Sequence, residues 1–591
     1  MLDKHKHLMH PLPQKEVLKR LLVYTAAHKK MIAAAMVLLI GGTAADLAGP
    51  ILVQIFIDDY LTPRNLAAGA LTALASAYLF LYAGSAVMNY FQSYMFQKIA
   101  LAIIQQLRID VFEKVEKLGL SFFDQFPAGG LISRITNDTE QVKELYITVL
   151  AIFVQNIVFL VGIFAAMFYL NPQLAAFALF ILPVILCVIF LYRKYSAVYY
   201  AEMSEKLSDL NARLNESIQG MAVIQMFRQE RRMNREFSGI NQSHHNAWLK
   251  SMKLDGLLLR PAVDLISILA LILVLTYFGI TSFDSPVEIG IIYAFVNYLD
   301  RFFEPVNQIM QRLSLFQQAM ISAGRVFRLM DHDEPGPVQK PKKDLKIQDG
   351  NIEFSRVSFS YTEGERVLKD ISFQVKKGEM LAIVGHTGSG KSSIINALMR
   401  FYEIDAGNIL IDGHSVDTFP ENELRKNIGL VLQDAFMFTG DMKSNINLYD
   451  QSISEKKLLQ AVKDAGAETF IQKLSGGLAH EVGERGSTLS TGERQLLSFA
   501  RTIVRDPRIL ILDEATASVD TETETEIQKA LERAREGRTT IAVAHRLSTI
   551  RNADHILVLK EGSIAEEGTH ETLIAQKGIY ERMYRLQKGG G

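Results

Sequence analysis

A glycine-rich stretch at 385–392 fits the phosphate-binding pattern G-x-x-x-x-G-K-[ST] at every fixed position. Its glycines permit positive φ angles, which turn main-chain N–H groups towards phosphate oxygens. Lys391 is then expected to reach the β- and γ-phosphates, and Ser392 to hold Mg²⁺. The stretch therefore predicts an ATP site with contacts from Gly385, His386, Thr387, Gly388, Ser389, Gly390, Lys391, Ser392 and Ser393.

Two adjacent carboxylates form a second candidate group downstream. The apolar run 509–512 ends in Asp513 and Glu514, which is the arrangement of a buried strand that delivers acidic side chains to a phosphate loop. Asp513 is expected on Mg²⁺, and Glu514 is expected to polarise the attacking water. Such a pair is weak support by itself, but it follows the phosphate loop at a distance that suits one domain.

The elements around the loop have the patterns that a phosphate site needs. The run 380–384 is apolar and β-branched, whereas 393–400 repeats its apolar residues at helical spacing, so the glycines fall between a strand and a helix. Strand-like and helical segments alternate from residue 347 onward. The predicted strands are 352–359, 371–375, 380–384, 408–411, 428–432, 509–512, 540–543 and 555–560. This half is predicted to be a cytosolic α/β phosphate-loop domain.

Composition separates this domain from the rest of the chain. The 591 residues are too many for one core, and 49% hydrophobic residues beside 21% charged ones require that the apolar residues be segregated. A formal net charge of −1 gives no general basic field, so no nucleic-acid partner is expected. Cys187 is the only cysteine, which excludes an intrachain disulfide.

The first half has the pattern of a membrane bundle. Six apolar runs are long enough to span a bilayer, at 31–61, 66–96, 146–170, 173–192, 261–283 and from 289 onward. Lys and Arg concentrate at the amino end and in the long connections 98–144 and 193–253, so both termini are predicted to be cytoplasmic. The basic amphipathic segment 15–30 is expected to lie along the cytoplasmic membrane face.

Polar residues inside the predicted spans are candidate functional residues, since a charge at mid-bilayer costs several kcal/mol. Asp46, Arg260 and Asp264 are the charged ones, although Arg260 and Asp264 are spaced to pair with each other. Four amides either line a cavity or join helices: Asn89, Gln92, Gln155 and Asn156. Breakers at 127–130 and near Gly220 predict turns in the two long cytoplasmic connections, where short transverse helices could receive force from the cytosolic domain.

The Pro-rich and charged stretch from 331 marks the boundary between the halves. The predicted organisation is an N-terminal cytosolic or interfacial helix at 1–30, a six-helix transmembrane domain at 31–330, a linker at 331–348 and a nucleotide-binding domain at 349–588.

The stretch Leu489-Ser490-Thr491-Gly492-Glu493, between the two phosphate-site elements, resembles the signature loop of the ATP-binding cassette (ABC) family. The resemblance implies that Tyr361 stacks on adenine, that Gln433 senses Mg²⁺ together with Ser392 and Asp513, and that His545 contacts the γ-phosphate. Asp520 looks like the aspartate of the loop that follows the second carboxylate. With the stretches 121–124, 134–138 and 301–305, the chain resembles a type IV ABC exporter half-transporter, similar to bacterial multidrug and lipid-A exporters.

The signature loop departs from the usual Leu-Ser-Gly-Gly-Gln at Thr491 and Glu493, while Ser490 and Gly492 are retained. A β-branched residue narrows the backbone approach to phosphate, and a carboxylate adds repulsion. Because the family completes each site with the signature loop of a facing cassette, the resemblance implies a dimer. A heterodimer with one hydrolysing and one degenerate ATP site is favoured, and a homodimeric lipid or peptide flippase is the alternative.

The expected function is ATP-driven export of hydrophobic or amphipathic small molecules across the cell membrane. An ABC protein with a peptidase or regulatory role is an alternative from another class, but residues 1–30 contain no cysteine for a peptidase. An importer is conceivable, although importers of the superfamily usually separate membrane and cassette chains. A soluble ATPase of the DNA-repair or translation type is excluded by the six predicted spans.

Overall fold

The structure is a computed structural model that describes residues 12–64, 67–259, 261–284, 287–334, 336–362, 364–513, 521–543 and 550–588. Its contacts divide the chain into two compact units. The helical unit contains residues up to 116 together with 128–332, and the cassette unit contains 117–127 together with the chain from 333 onward. The predicted fold class, a membrane helical bundle fused to a cytosolic α/β phosphate-loop domain, is confirmed.

Long helices dominate the helical unit because its apolar runs contain few breakers. Several of them continue through π-helical turns, at Phe56–Leu61, Arg134–Asp138, Leu145–Leu150 and Asp255–Leu259. The helices are α1 (Gln14–Ala26), α2 (Lys29–Ile55), α3 (Ala68–Glu116), α5 (Ala128–Ser133), α6 (Thr139–Glu144), α7 (Ala151–Leu170), α8 (Pro172–Gln219), α9 (Met221–Met226), α10 (Glu230–Leu254), α11 (Pro261–Asp284) and α12 (Ile289–Asp331). Helix α4 (Leu120–Gln125) belongs to the cassette unit.

Five segments of the described chain are long and apolar enough to cross a membrane: Lys29–Leu61, Ala68–Glu116, Ala128–Leu170, Pro172–Gln219 and Glu230–Phe283. The sixth predicted span corresponds to α12, which is not among these five segments because its apolar part contains more charged residues. Its apolar first half is interrupted by Asp300, Arg301 and Glu304. The sixth span therefore stays a prediction, carried by a helix of 43 residues.

Helix α1 uses part of its apolar face inside the protein. Val17 and Leu21 are fully buried, and the Leu21 carbonyl accepts a hydrogen bond from Tyr146 Oη at 2.8 Å. Arg20 pairs with Asp331 at 2.7 Å. Leu18 and Leu22 remain exposed. The expected interfacial helix is thus fixed to the helical unit by one side, and only its other apolar residues are free to meet lipid.

The strands of the cassette unit are β1 (Ile352–Ser360), β2 (Arg366–Val375), β3 (Met380–Gly385), β4 (Ala406–Ile411), β5 (His414–Ser415), β6 (Ile428–Val431), β7 (Gly440–Asp441), β8 (Glu481–Val482), β9 (Ile509–Asp513), β10 (Thr539–Val543), β11 (His555–Lys560) and β12 (Ser563–Gly568). In the described residues they form three sheets. Their strand orders are β2-β1-β4-β5, which is antiparallel, β12-β11-β3-β10-β9-β6, which is parallel except for β12, and the short pair β7-β8.

Helices cover the parallel sheet, and their bounds are α13 (Lys391–Leu398), α14 (Glu421–Asn427), α15 (Met442–Asn447), α16 (Glu455–Asp464), α17 (Glu468–Lys473), α18 (Thr491–Ile503), α19 (Thr521–Arg535), α20 (His570–Gln576) and α21 (Ile579–Lys588). The central strand β3 is buried on both faces, which explains its continuous apolar run. Ala382 packs into one core and Ile383 into the other, because successive strand residues point to opposite faces.

The first cytoplasmic turn forms the short helix α4. Phe122 is buried there and stacks on Phe126 with ring centroids 5.5 Å apart. Asp124 accepts a hydrogen bond from Tyr402 Oη, and the Gly119 N–H donates to the Glu334 carbonyl at 3.0 Å. Segment 117–127 is therefore joined to the cassette unit by specific polar contacts.

The turn between β4 and β5 fixes the start of the cassette domain. Asp412 accepts hydrogen bonds from the main-chain N–H groups of Gln348, Asp349, Gly350 and Asn351 at 2.8–3.0 Å. Burial raises the pKa of Asp412, but these four donors outweigh that effect and the net pKa is lowered.

We expect Asp412→Ala to destabilise the cassette by about 1–2 kcal/mol, because it leaves partly buried N–H groups without an acceptor. The lowered pKa means that the stabilisation is complete above the unfolded-state pKa of about 4 and is lost as the pH falls through the folded-state value. Thermal unfolding of the full-length protein between pH 7 and 3.5 measures this. The control is Asp434→Ala, which removes an exposed carboxylate. Equal melting temperatures for the two variants at pH 7 would contradict the assignment.

Candidate nucleotide site

The register of the parallel sheet brings three predicted site segments to one edge. Ile383 of β3 lies opposite Val543 of β10, which in turn lies opposite Asp513 of β9. Val431 of β6 is paired with Leu512. The carboxyl ends of these strands therefore meet at the edge where ligands bind in open α/β sheets. The glycine-rich loop after β3, Asp513 and Gln433 all follow at that edge.

The glycine-rich loop has the backbone conformation that the sequence predicts. Gly388 and Gly390 adopt φ angles of 81° and 103°, which side-chain-bearing residues rarely reach. Helix α13 starts immediately afterwards at Lys391, so its amino end adds a favourable potential for an anion. His386 and Thr387 are exposed. Ser389 is buried, and its Oγ atom has no hydrogen-bond partner among the described residues, which leaves a donor for a phosphate oxygen.

The predicted phosphate lysine is held inside its own loop. Lys391 Nζ donates to the carbonyls of Gly385 and His386, at 2.8 and 3.2 Å, and the side chain is buried. These contacts place the ammonium group within the loop that would surround the phosphates. Ser392, at the first turn of α13, is exposed, whereas Ser393 is buried.

Tyr361, the predicted adenine residue, is anchored to the same helix. Its hydroxyl lies 3.1 Å from Ser393 Oγ and accepts from Asn396 Nδ2 at 2.9 Å. Its ring meets Tyr402 edge-on at a centroid distance of 5.1 Å. The side chain is nevertheless 41% exposed, so ring surface is available for stacking on a base.

The structure describes only some of the remaining predicted site residues. Asp513 is half-buried at the end of β9, and Gln433 is exposed two residues after β6. Together with the Ser392 hydroxyl they offer oxygen atoms only, which is the donor chemistry that Mg²⁺ prefers. Glu514, Asp520 and His545 lie outside the described residues, as does Arg260 of the predicted intramembrane group.

The signature stretch forms the amino end of α18 and is closed by a capping box. The Glu493 N–H donates to Ser490 Oγ at 3.2 Å, and the Ser490 N–H donates to the Glu493 carboxylate at 2.7 Å. Arg494 donates to Thr491 Oγ1 at 3.2 Å. Both departures from the usual signature therefore take part in local contacts. The Glu493 carboxylate lies at the helix end whose dipole would otherwise attract phosphate.

Two residues that the sequence reasoning missed connect α18 to the loop around Gln433. Gln495 is 2% exposed and its Nε2 donates to the Leu432 carbonyl at 3.2 Å. Arg501 donates to the carbonyls of Phe436 and Asn445, at 2.9 and 2.8 Å. Burial lowers the pKa of Arg501. Gln495 and Arg501 were not predicted, because their partners are main-chain carbonyls that no sequence pattern shows.

Comparison with known proteins agrees with this geometry. Residues 32–306 match the ABC transporter transmembrane region, and residues 368–517 match the ABC transporter domain. The Bacillus subtilis protein named "Probable multidrug resistance ABC transporter ATP-binding/permease protein YheH" is 47% identical over 515 residues, covering 86% of this chain and 76% of the relative. The chain belongs to the ABC transporter family.

Two further similarities place the chain within that family. The ATP-dependent lipid A-core flippase of Syntrophus aciditrophicus is 34% identical over 97% of this chain and 94% of its own length. The solved structure of a bacterial Atm1-family ABC exporter with ATP bound matches with a TM-score of 0.79 and 28% identity, over 95% of this chain and 99% of that one. This ABC transporter is a multi-pass membrane protein and an ATPase whose ATP hydrolysis is coupled to transport.

We expect Lys391→Ala to weaken ATP binding at least about tenfold, because it removes the ammonium group that lies within the phosphate loop. Equilibrium binding of a fluorescent ATP analogue to the full-length transporter measures this. The control is Lys376→Ala, which removes an exposed lysine just before β3. Unchanged affinity in Lys391→Ala, with unchanged ATPase activity, would refute the role of this loop.

Proposed function

We propose that this chain is one half of an asymmetric heterodimeric ABC exporter that moves amphipathic substrates across the cell membrane. The multidrug and lipid names of its relatives support an amphipathic cargo. The proposed hydrolysing site combines the phosphate loop of this chain with the signature loop of a partner. The proposed degenerate site is covered by the signature loop of this chain.

The capping box at Ser490 and Glu493 is the observation that carries the heterodimer. A signature loop that receives phosphate needs free main-chain donors and a positive local potential. Here the Ser490 N–H is already bonded to the Glu493 carboxylate, and that carboxylate opposes the helix dipole. In contrast, the phosphate loop keeps glycine conformations and a Ser389 hydroxyl that has no partner in the described part of the chain. One cassette thus combines a phosphate loop that is suited to binding phosphate with a signature loop that is less suited to it.

The roles of the residues follow from their chemistry. Tyr361 stacks on the base, while Lys391 and the main-chain N–H groups of the loop bind the phosphates. Ser392, Gln433 and Asp513 would hold Mg²⁺, which neutralises phosphate charge when bound. Glu514 accepts the proton of the attacking water, and His545 orients the γ-phosphate. Asp520 contributes to the contact between the two cassettes.

The proposed topology places both termini and the ATPase domain in the cytoplasm, because the basic residues concentrate in the amino end and the two long connections. The proposed domains are an N-terminal helix at 1–30, a transmembrane domain at 31–330, a linker at 331–348 and a nucleotide-binding domain at 349–588. ATP binding would bring two cassettes together, and the transverse helices, including α4, would pass this motion to the spans.

A homodimeric lipid or peptide exporter is the second candidate function. The relative named as a lipid A-core flippase favours it, since that protein matches almost the full length of this chain. In a homodimer both ATP sites would contain the capped signature loop.

We expect Glu514→Gln in the assembled exporter to retain ATP binding and to reduce hydrolysis about 100-fold or more, because the amide cannot accept a proton from water. Steady-state phosphate release and ATP retention measure the two steps. The matched control is Glu571→Gln on the exposed side of α20. Near-normal hydrolysis in Glu514→Gln would mean that another residue is the base.

The heterodimer is tested by comparing the chain expressed alone with the chain co-expressed with a neighbouring half-transporter. We expect ATPase and transport only on co-expression, lost in Glu514→Gln but retained in Thr491→Ala. Restoring the usual loop with Thr491→Gly and Glu493→Gln together should raise the ATPase of the chain alone, because the carboxylate charge no longer opposes phosphate at the helix end and Gly allows a closer backbone approach. Robust substrate-stimulated activity from the unmodified chain alone would refute the heterodimer.

A further inference from the structure

A polar cluster lies inside the apolar spans α2 and α3, around Asp46. One carboxylate oxygen of Asp46 accepts a hydrogen bond from Ser85 Oγ, and the other accepts from Asn89 Nδ2 at 3.3 Å. Asn89 Nδ2 also donates to Ser85 Oγ at 3.1 Å. Asp46 lies near the middle of the span Lys29–Leu61, where an ionised side chain costs several kcal/mol unless it is compensated. A carboxylate at this position is therefore a candidate functional residue.

Small residues bring the two helices close together on both sides of Asp46. A Cβ atom at Gly42 would lie 3.0 Å from Asn89 Oδ1, and one at Gly49 would lie 3.0 Å from Tyr82 Oη. The glycines therefore allow the polar side chains of α3 to reach across to α2. The position of the Asp46 carboxylate is fixed by this packing.

Among the residues that the structure describes, the carboxylate has hydrogen-bond donors but no ionic partner. Arg301 of α12 is the nearby cation, and its Nη1 donates to the main-chain carbonyl of Asp46 at 3.2 Å. Its other contacts are Tyr82 Oη at 3.3 Å and Asn297 Oδ1 at 3.2 Å. Within the described part of the chain, no basic nitrogen lies within 4.0 Å of the Asp46 carboxylate oxygens. Arg301 thus binds the backbone beside Asp46 and leaves the carboxylate unpaired.

The surroundings of the carboxylate suit an organic cation. Asp46 is only partly buried, unlike Ser85 beneath it. Tyr78 and Tyr82 precede Ser85 on the same face of α3, with ring centroids 4.6 Å apart, and Tyr78 is 38% exposed. Arg301 links the Tyr82 hydroxyl to the Asp46 main chain, so the phenols belong to the same polar cluster as the carboxylate. A carboxylate and phenol rings in one cluster attract a positively charged group by ion pairing and by cation–π contact, and both are stronger where water is scarce.

We propose that Asp46 binds the positively charged group of the substrate, so that lipophilic organic cations are the substrate class of this exporter. The inference rests on the proposed export function. Tyr78 and Tyr82 contact the apolar substituents of the cation, whereas the close glycine packing of α2 against α3 fixes the position of the carboxylate. The opposing role for Asp46 is purely structural, as a hydrogen-bond acceptor that joins α2 to α3.

Two substitutions separate these roles. Asp46→Asn removes the charge but keeps an oxygen that accepts from Ser85, whereas Ser85→Ala removes that hydrogen bond and keeps the charge. The probes are tetraphenylphosphonium and tetraphenylborate, which have similar size and opposite charge. Binding of each to the full-length protein in lipid nanodiscs without nucleotide is measured by equilibrium dialysis. Asp59→Asn is the control, since it removes an exposed carboxylate from the outer end of the same span.

We expect Asp46→Asn to raise the Kd of tetraphenylphosphonium about tenfold or more and to leave tetraphenylborate weakly bound or slightly improved. Ser85→Ala and Asp59→Asn should change the phosphonium Kd less than about threefold. Asp46→Glu, which keeps the charge, should retain most of the phosphonium affinity and serves as the test if Asp46→Asn does not fold. Failure of the wild type to bind the phosphonium ion would overturn the inference, as would equal losses in Asp46→Asn and Ser85→Ala or loss of affinity in Asp46→Glu.

The measurements distinguish failure of the proposed export function from failure of the proposed role of Asp46. If wild-type protein hydrolyses ATP and transports amphipathic substrates while Asp46→Asn binds the phosphonium ion normally, the export function stands and the role of Asp46 falls. If wild-type protein shows neither ATPase nor transport with any partner, the proposed function itself falls, whatever the binding measurement shows.

Discussion

The register of the six-stranded parallel sheet is the constraint on which the nucleotide site depends. Because β10 pairs with both β3 and β9, the end of each strand lies level with the end of its neighbour. A shift of one residue would turn Asp513 to the other face of the sheet. The two cores prevent that shift, since residues of opposite parity in β3 and β9 fill separate apolar clusters. Apolar packing therefore fixes where the charged chemistry occurs.

Helix α18 connects the signature loop with the loop that contains Gln433. Its amino end is the signature loop, while Gln495 and Arg501 bind the carbonyls on both sides of the loop that contains Gln433. These are amide and charge-assisted hydrogen bonds, so a shift of α18 without a shift of that loop would leave polar groups unpaired. The helix is thus suited to move the signature and Gln433 loops as one body.

The sequence was informative where a local rule applied. Strand β11 was predicted with its observed bounds, and the breaker Pro127 lies where α4 and α5 are separated, because apolar periodicity and helix breakers are local signals; Gly129 and Gly130, also predicted as breakers, lie within α5. Strand β12 was missed, since Ser563–Gly568 is polar and pairs at the edge of the sheet. The sequence also did not predict that Asp46, Ser85 and Asn89 contact one another. These contacts depend on which helix faces lie together, and only close glycine packing decides that.

The capping box at Ser490 shows why stability and catalysis conflict at one position. A Glu at the third residue of a helix satisfies the capping donor and interacts favourably with the dipole, which stabilises the helix end by up to about 1 kcal/mol. The same carboxylate uses a donor and a positive potential that a phosphate would otherwise receive. A loop selected for hydrolysis should avoid that carboxylate, whereas a loop selected to hold α18 in place should keep it. Glu493 therefore fits a cassette whose signature end serves mainly as structure, while its phosphate loop serves chemistry.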